Sequence, residues 1–203
     1  MREHGLLAPH RVGRPHGPKA HEGRIVTERV DQMWGADMTS GWTGKEGQAA
    51  VFIAVDHCSA ECVGIHASKR ADRFQALEPV RQGVRAHFGA FDQGIVTGGL
   101  KLRHDHGSQY MSDDFQDELQ FLGLESSPAF VREPEGNGCA ERFIRTLKEN
   151  LLWVRSFETV EELRLALHSF KDQYNNQWLI ERHGNKTPAQ VRELQTASDQ
   201  KAA

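Results

Sequence analysis

Cysteine is scarce in this 203-residue chain: Cys58, Cys62 and Cys139 are its only three. An odd number without C-x-x-C spacing excludes both a disulfide framework and a zinc knuckle, and the three read as reduced packing residues. Cys58 and Cys62 lie near His57 and His66, yet they fall in a predicted strand pair, where alternation sends neighbours to opposite faces. Long apolar runs are also missing. No stretch approaches the ~20 apolar residues that span a bilayer, and the opening segment MREHGLLAPHRVGRPHGPKAHEG has no apolar signal core. A soluble, intracellular protein without a membrane partner is expected. Positive charge is not in excess either: 25 Lys and Arg face 28 Asp and Glu, a net charge of −3. That balance weighs against a nucleic-acid partner, because phosphate neutralisation needs Lys and Arg.

The distribution of charge softens that objection. Residues 1–30 carry six basic against three acidic residues and 142–192 nine against six, whereas 31–141 carry nine against seventeen. Acid is concentrated in the middle, where a metal-binding core would need it, and base lies in the flanks. A hydrophobic content of 38% suffices for one substantial core with length left for arms.

Residues 1–30, with the run HRVGRPHGPK, read as a basic, loosely ordered arm or as a tail without a partner. A core follows over 31–178 and a tail over 179–203, its end QTASDQKAA expected to be disordered. Within the core, MWGADMT at 33–39 leads into a strand ending near Asp37, and Gly41 to Gly47 punctuate a turn. The run AAVFIAVDHCSAECVGIHA splits around 56–60 into two strands, with Asp56 as a turn residue between them. Phe74, Leu77, Val80, Val84 and Phe88 fall at helical spacing across 70–89 despite Pro79. LKLRHD reads as a fourth strand. A helix over about 112–123 has Ser112 as N-cap and Gly123 at its end, and LESSPAF is a fifth strand. Two helices follow, about 136–154 and 158–175. Trp34, Trp42, Trp153 and Trp178 are assigned to core or edge packing. The order β-β-β-α-β-α-β-α-α describes a mixed α/β sandwich.

Three acids stand at unusual places in that map. Asp37 lies in the first strand, Asp105 ends the fourth, and Glu141 sits on the first turns of a later helix. Side chains at strand ends and adjoining helix termini converge in α/β sheets although they are distant in sequence. Crowded carboxylates repel, and the usual stabiliser is a cation such as Mg²⁺, which prefers oxygen ligands and keeps waters that leave room for phosphate oxygens. Two such ions can activate an attacking hydroxyl and steady a leaving oxygen. In a chain with 28 Asp and Glu the bare pattern also arises by coincidence. His104 and His106 flank Asp105, and alternation turns both away from its face toward a structural role.

Around these acids lie W-G-A-D-M-T at 34–39, H-D-H-G-S-Q-Y-M-S at 104–112 and E-G-N-G-C-A-E-R-F-I-R-T-L-K-E at 135–149, with 35 residues between Asp105 and Glu141. Near the end are F-E-T-V-E-E-L, Y-N at 174–175 and T-P-A at 187–189. Together these pieces resemble the integrase core shared by retroviral-type integrases and bacterial insertion-sequence transposases, most closely the second-frame product of the two-reading-frame group, over about residues 24–192. The resemblance implies an RNase H-like mixed five-stranded sheet flanked by helices, and DNA cleavage and strand transfer with two Mg²⁺ or Mn²⁺ ions held by Asp37, Asp105 and Glu141. It also implies DNA partners at element ends and target, a homo-oligomer, and a bacterial cytoplasmic, nucleoid-associated setting.

Residue by residue, Asn137 matches a polar position near the active site, one helical turn before Glu141. Lys148 matches a position that contacts the DNA backbone, against the alternative of a solvated helix lysine. Arg145, on the same stripe, is comparable. Gly107, Ser108 and Gln109 match a G-S-Q loop that either meets DNA or braces itself. Of the family's helix-turn-helix region only M-R-E-H-G-L-L-A-P at 1–9 resembles a remnant, so the chain is expected to be shortened or to come from a broken gene. His10, His16 and His21 have no cysteine pair to make a zinc domain. Two other readings stay open: a related RNase H-like nuclease, and an inactive remnant that binds DNA or another subunit through its basic flanks.

Overall fold

A computed structural model of the chain describes residues 27–90, 94, 97–129 and 137–202. The arm expected over 1–30 lies, up to residue 26, outside the described residues. Five strands form one sheet: β1 (Met33–Thr43), β2 (Gly47–Asp56), β3 (Cys62–Ser68), β4 (Lys101–His104) and β5 (Glu125–Pro128), in the spatial order β3-β2-β1-β4-β5. The first three make an antiparallel meander, while β4 and β5 add in parallel beyond β1. This is the mixed α/β sheet that the sequence order implies. β1 runs about six residues past the expected end near Asp37, so the turn closes at 44–46 rather than from Gly41.

Alternation along the strands separates two cores. Trp34, Ala36, Phe52, Val63 and Leu102 point to one face, covered by α1 (Arg73–Phe88) and α2 (Asp113–Leu122). Val51, Ile53, Ile65 and Ala67 point to the other, covered by α3 (Gly138–Leu147) and α4 (Val160–Gln177). Period-2 strands whose both faces are apolar need helices on each side to bury them. The fully buried Trp34 ring fits against α1 only because position 83 is glycine: a Cβ there would stand 2.7 Å from Trp34 Cζ3.

α1 is capped by the Asp72 carboxylate, which accepts from the N–H groups of Phe74 and Gln75. Its inward stripe is Leu77, Val80 and Val84, but Phe74 is exposed with the Arg73 guanidinium over its ring. Pro79 is accommodated inside the helix, and its carbonyl comes so near β3 that a side chain on Gly64 would overlap it. α2 starts after Ser112, whose hydroxyl bonds Gln109 O instead of capping, and ends on Gly123 in the left-handed region. Asp56 is the expected turn residue, accepting from Ser59 N and Oγ and from Asp31 N.

Two expectations are corrected. The end of the chain is helical: α5 (Pro188–Ala202) docks back beside the start of β1, where Arg192 bonds both Asp31 and Glu61. Polar residues dominate its sequence, so neither periodicity nor apolar content announced it, and a half-buried ion-pair cluster holds it instead. Trp42 and Trp153 are both 70% exposed rather than packed.

Candidate active site

Asp37 and Asp105 reach the same face of the sheet through register. β1 and β4 pair in parallel with Gly35 opposite Arg103, so two residues further on Asp37 and Asp105 stand at the same level. Trp34, Ala36 and Leu102 face α1 and α2, hence Gly35, Asp37, Arg103 and Asp105 face α3. Across β2, Asp37 pairs with Ile53, which belongs to the α3 and α4 core. Glu141 stands exposed on the first turn of α3. That turn lies close over β1, since a Cβ on Gly35 would meet Ala140 Cβ at 3.4 Å.

Burial, aided by the charges of Asp105 and Glu141, pushes the Asp37 carboxyl up to about 6, against the Met38 N–H and Lys148, which lower it. The three acids therefore share one electrostatic environment. Asp37 Oδ1 accepts from Met38 N at 2.7 Å, and Asp105 Oδ1 from Gly107 N at 2.8 Å. Among the described residues no three His, Cys, Asp or Glu side chains close tightly enough to hold a metal ion. The chemistry of the side chains, three carboxylates turned toward one space, is nevertheless that of ligands for a hard divalent cation.

The raised Asp37 carboxyl has a stability signature. In the window from about 3.8 to about 6 the folded chain binds more protons than the unfolded one, so stability falls as pH rises through it and stays lower above. Asp37→Asn is therefore expected to raise the melting temperature at pH 7 to 8 in EDTA and to leave it unchanged near pH 4. Equal melting curves at both pH values would remove the crowding argument.

The segment after β4 wraps around Asp105. The N–H groups of Tyr110 and Met111 both donate to Gly107 O, and a Cβ on Gly107 would lie 2.5 Å from Gln109 Nε2 and 2.9 Å from Asp105 Oδ1. Gln109 thus lies over the loop beside Asp105 as a brace, while Ser108 points to solvent. His104 is fully buried on the opposite face, its ring bonded to Asp105 O and Ser126 Oγ, and His106 is exposed. Tyr110, which sequence reasoning passed over, stacks on His104 at 5.5 Å. Burial and the charges of Asp37 and Asp105 raise its hydroxyl pKa well above the ordinary value.

Lys148 and Arg145 part company. Lys148 is near enough to Asp37 to lower its pKa. It opens a π turn over Lys148–Leu152, where Trp153 N–H bonds Lys148 O at 2.9 Å, five residues back. Such widenings often mark functional positions. Arg145 instead points outward, its Nε bonded to Glu149 at 2.8 Å. Asn137 is also a correction: it is the N-cap position of α3, buried, and its Nδ2 donates to Ala36 O at 2.9 Å. It faces β1 because the chain enters α3 there with its back to the sheet, so its amide is engaged inside the protein rather than beside Glu141.

An integrase core domain model matches residues 27–134, and a second model of the same description matches 122–188. The chain belongs to the integrase core domain family. The transposase InsD for insertion element IS2A/D/F/H/I/K of Escherichia coli is 27% identical over 153 residues, which are 75% of this chain and 50% of that protein. The chain thus spans about half the length of most curated relatives it matches. Among solved structures, the catalytic core domain of BIV integrase superposes with a TM-score of 0.58 at 19% identity, covering 85% of this chain and 98% of that one. The HTLV-2 integrase catalytic core domain in complex with magnesium gives 0.57 at 16%, covering 81% and 98%. At these identities the integrase cores establish a shared fold, the RNase H-like mixed sheet with flanking helices.

Proposed function

We propose that this integrase core domain is the catalytic core of an insertion-sequence transposase that cleaves and joins DNA strands. The observation that carries the reading is the placement of Asp37, Asp105 and Glu141 on one face of the sheet, close enough that the latter two raise the Asp37 pKa. These three would hold Mg²⁺ or Mn²⁺, two ions per site. Bound there, divalent ions neutralise charge at the scissile phosphate and activate the attacking hydroxyl. The chain's own contribution is positioning. The Gly107 N–H orients the Asp105 carboxylate, and Lys148 offers a cation to a DNA phosphate beside Asp37. Arg145 keeps guanidinium donors beyond the one bonded to Glu149, and Ser108 presents a free face to the backbone of a bound strand.

The partners on this reading are the element's DNA ends and a target duplex, and joining two ends calls for more than one copy of the chain. A bacterial, nucleoid-associated setting follows from the same reading. Among the described residues no helix is long and apolar enough to cross a membrane.

The direct test is diffraction at the manganese edge from crystals soaked in Mn²⁺. Anomalous density is expected among the three carboxylates, and its absence at saturating metal would overturn the proposal. Lys148→Ala is expected to weaken DNA binding and to make the plot of log K against log salt shallower by about one phosphate contact. An unchanged slope would return Lys148 to the solvated face.

A further inference from the structure

Among the buried polar atoms without a hydrogen-bond partner of good geometry in the described residues are His57 Nε2 and Asn137 Oδ1. Both lie over the same backbone atom. A Cβ on Gly35 would stand 2.8 Å from His57 Nε2 and 2.3 Å from Asn137 Oδ1. Glycine at position 35 is thus what lets the end of β2 and the start of α3 meet across β1, two residues before Asp37. A buried amide oxygen accepts and one nitrogen of a neutral imidazole donates, so the pair is chemically complementary. A buried donor or acceptor left unpaired keeps its full desolvation penalty, which favours their closing on each other.

We infer that His57 is a positioning residue for this site, its Nε2–H holding Asn137 Oδ1 so that α3 is fixed against β1. The other end of the amide is already committed: Asn137 Nδ2 donates to the carbonyl of Ala36, the residue between Gly35 and Asp37. Asn137 stands at the N-cap position of the helix that carries Glu141. The chain of contacts therefore runs from the β2–β3 turn through one imidazole and one amide to the backbone beside Asp37, with Glu141 one helical turn further on. It sets how far Glu141 stands from Asp37. Burial, with the nearby Arg103 charge, brings His57 down to about 4, against a raising contribution from Asn137, so the ring is neutral at working pH. A neutral ring has one N–H, and the inference requires it on Nε2. The His57 backbone is pinned independently, its N–H donating to Met33 O at 3.0 Å and its carbonyl accepting from Arg182 Nη2 at 3.3 Å.

The inference rests on the metal-dependent reading of the three acids, and the tests separate the two. Long-range ¹H–¹⁵N NMR of the metal-free wild type should show His57 protonated on Nε2; an Nδ1–H tautomer overturns the inference whatever the metal does. His57→Leu should weaken Mn²⁺ binding, followed by isothermal titration, by about tenfold, the scale seen when a group behind a metal ligand is removed. His57→Gln, whose amide places a donor where Nε2 was, should recover affinity to within about threefold of wild type. Should wild type bind no Mn²⁺, the function proposed above falls while the tautomer result still stands. Should His57→Leu remain folded and bind as wild type does, the positioning role falls alone. If His57→Leu does not fold, the tautomer and the Gln variant decide.

Discussion

Asp105→Asn is expected to leave a folded protein that has lost metal-dependent DNA cleavage. The side chain is exposed, so the change opens no cavity, and an amide oxygen can still accept from Gly107 N in place of the carboxylate. What disappears is one negative charge of the three contributed by Asp37, Asp105 and Glu141. A divalent ion then loses an anionic ligand, and the rate should fall at least about a thousandfold, the order of loss when one charge-stabilising group is taken from a transition state. Nicking of supercoiled plasmid in Mn²⁺, run beside a thermal melt in EDTA, reads both halves. Equal nicking by variant and wild type would sink the catalytic assignment, as would wild-type nicking that persists undiminished in EDTA. A collapsed melt would show that Asp105 serves the fold.

The second large effect lies at the far end of the chain. Arg192 is 13% exposed and bonds Asp31 through Nη1 at 2.6 Å and Nη2 at 3.0 Å, and Glu61 through Nε. Fully buried Asp56 lies in the same cluster, accepting from Asp31 N. Burial raises the carboxyls of Asp56 and Glu61 even with the guanidinium present. Arg192→Ala strands these charges, and removing one partner from a buried ionic cluster costs about 3–5 kcal/mol. The sign with pH follows. Without Arg192 the acids rise further and the folded state takes up protons more readily than the unfolded one, so the deficit is greatest at about pH 7 and shrinks toward about pH 4. His87, 3.8 Å from Glu61 and held down to about 4 by burial and then by Arg192, would be freed to charge and soften the loss. Urea melts at several pH values measure this; a deficit under about 1 kcal/mol at neutral pH would mean that α5 is held by other contacts.

The residues that sequence reasoning placed well are those whose signal is periodic or local. Val- and Ile-rich runs located the central strands, helical spacing gave the inward stripes, and Gly123 marked the end of α2, where it takes the left-handed conformation. What escaped depends on partners far along the chain. α5 has no strong apolar stripe, and its anchor at Arg192 bonds residues 131 and 161 positions away. Asn137 was placed on the face of Glu141 because helical spacing was extended one residue too far; at an N-cap position the backbone has left helical geometry, and its side chain turned to Ala36 O. His57 carried only the general hint of a histidine beside a turn. The glycine at 35 in W-G-A-D was the clue to a close approach there, although spacing alone could not say what approached. Trp42 and Trp153 were misjudged for the opposite reason: large aromatic rings are usually covered, and these two stand exposed.

β4 is four residues long, and its pairing with β1 stops at Gly35 and Arg103. The hydrogen-bonded ladder therefore ends before it reaches either aspartate. Asp37 stays paired with Ile53 of β2 while Asp105 lies just past the end of β4, so the ladder does not tie one acid to the other. On the proposed reading, the gap between the two carboxylates is thus not set by a shared ladder, and phosphate and ions arriving between them would adjust it without parting the strands beneath.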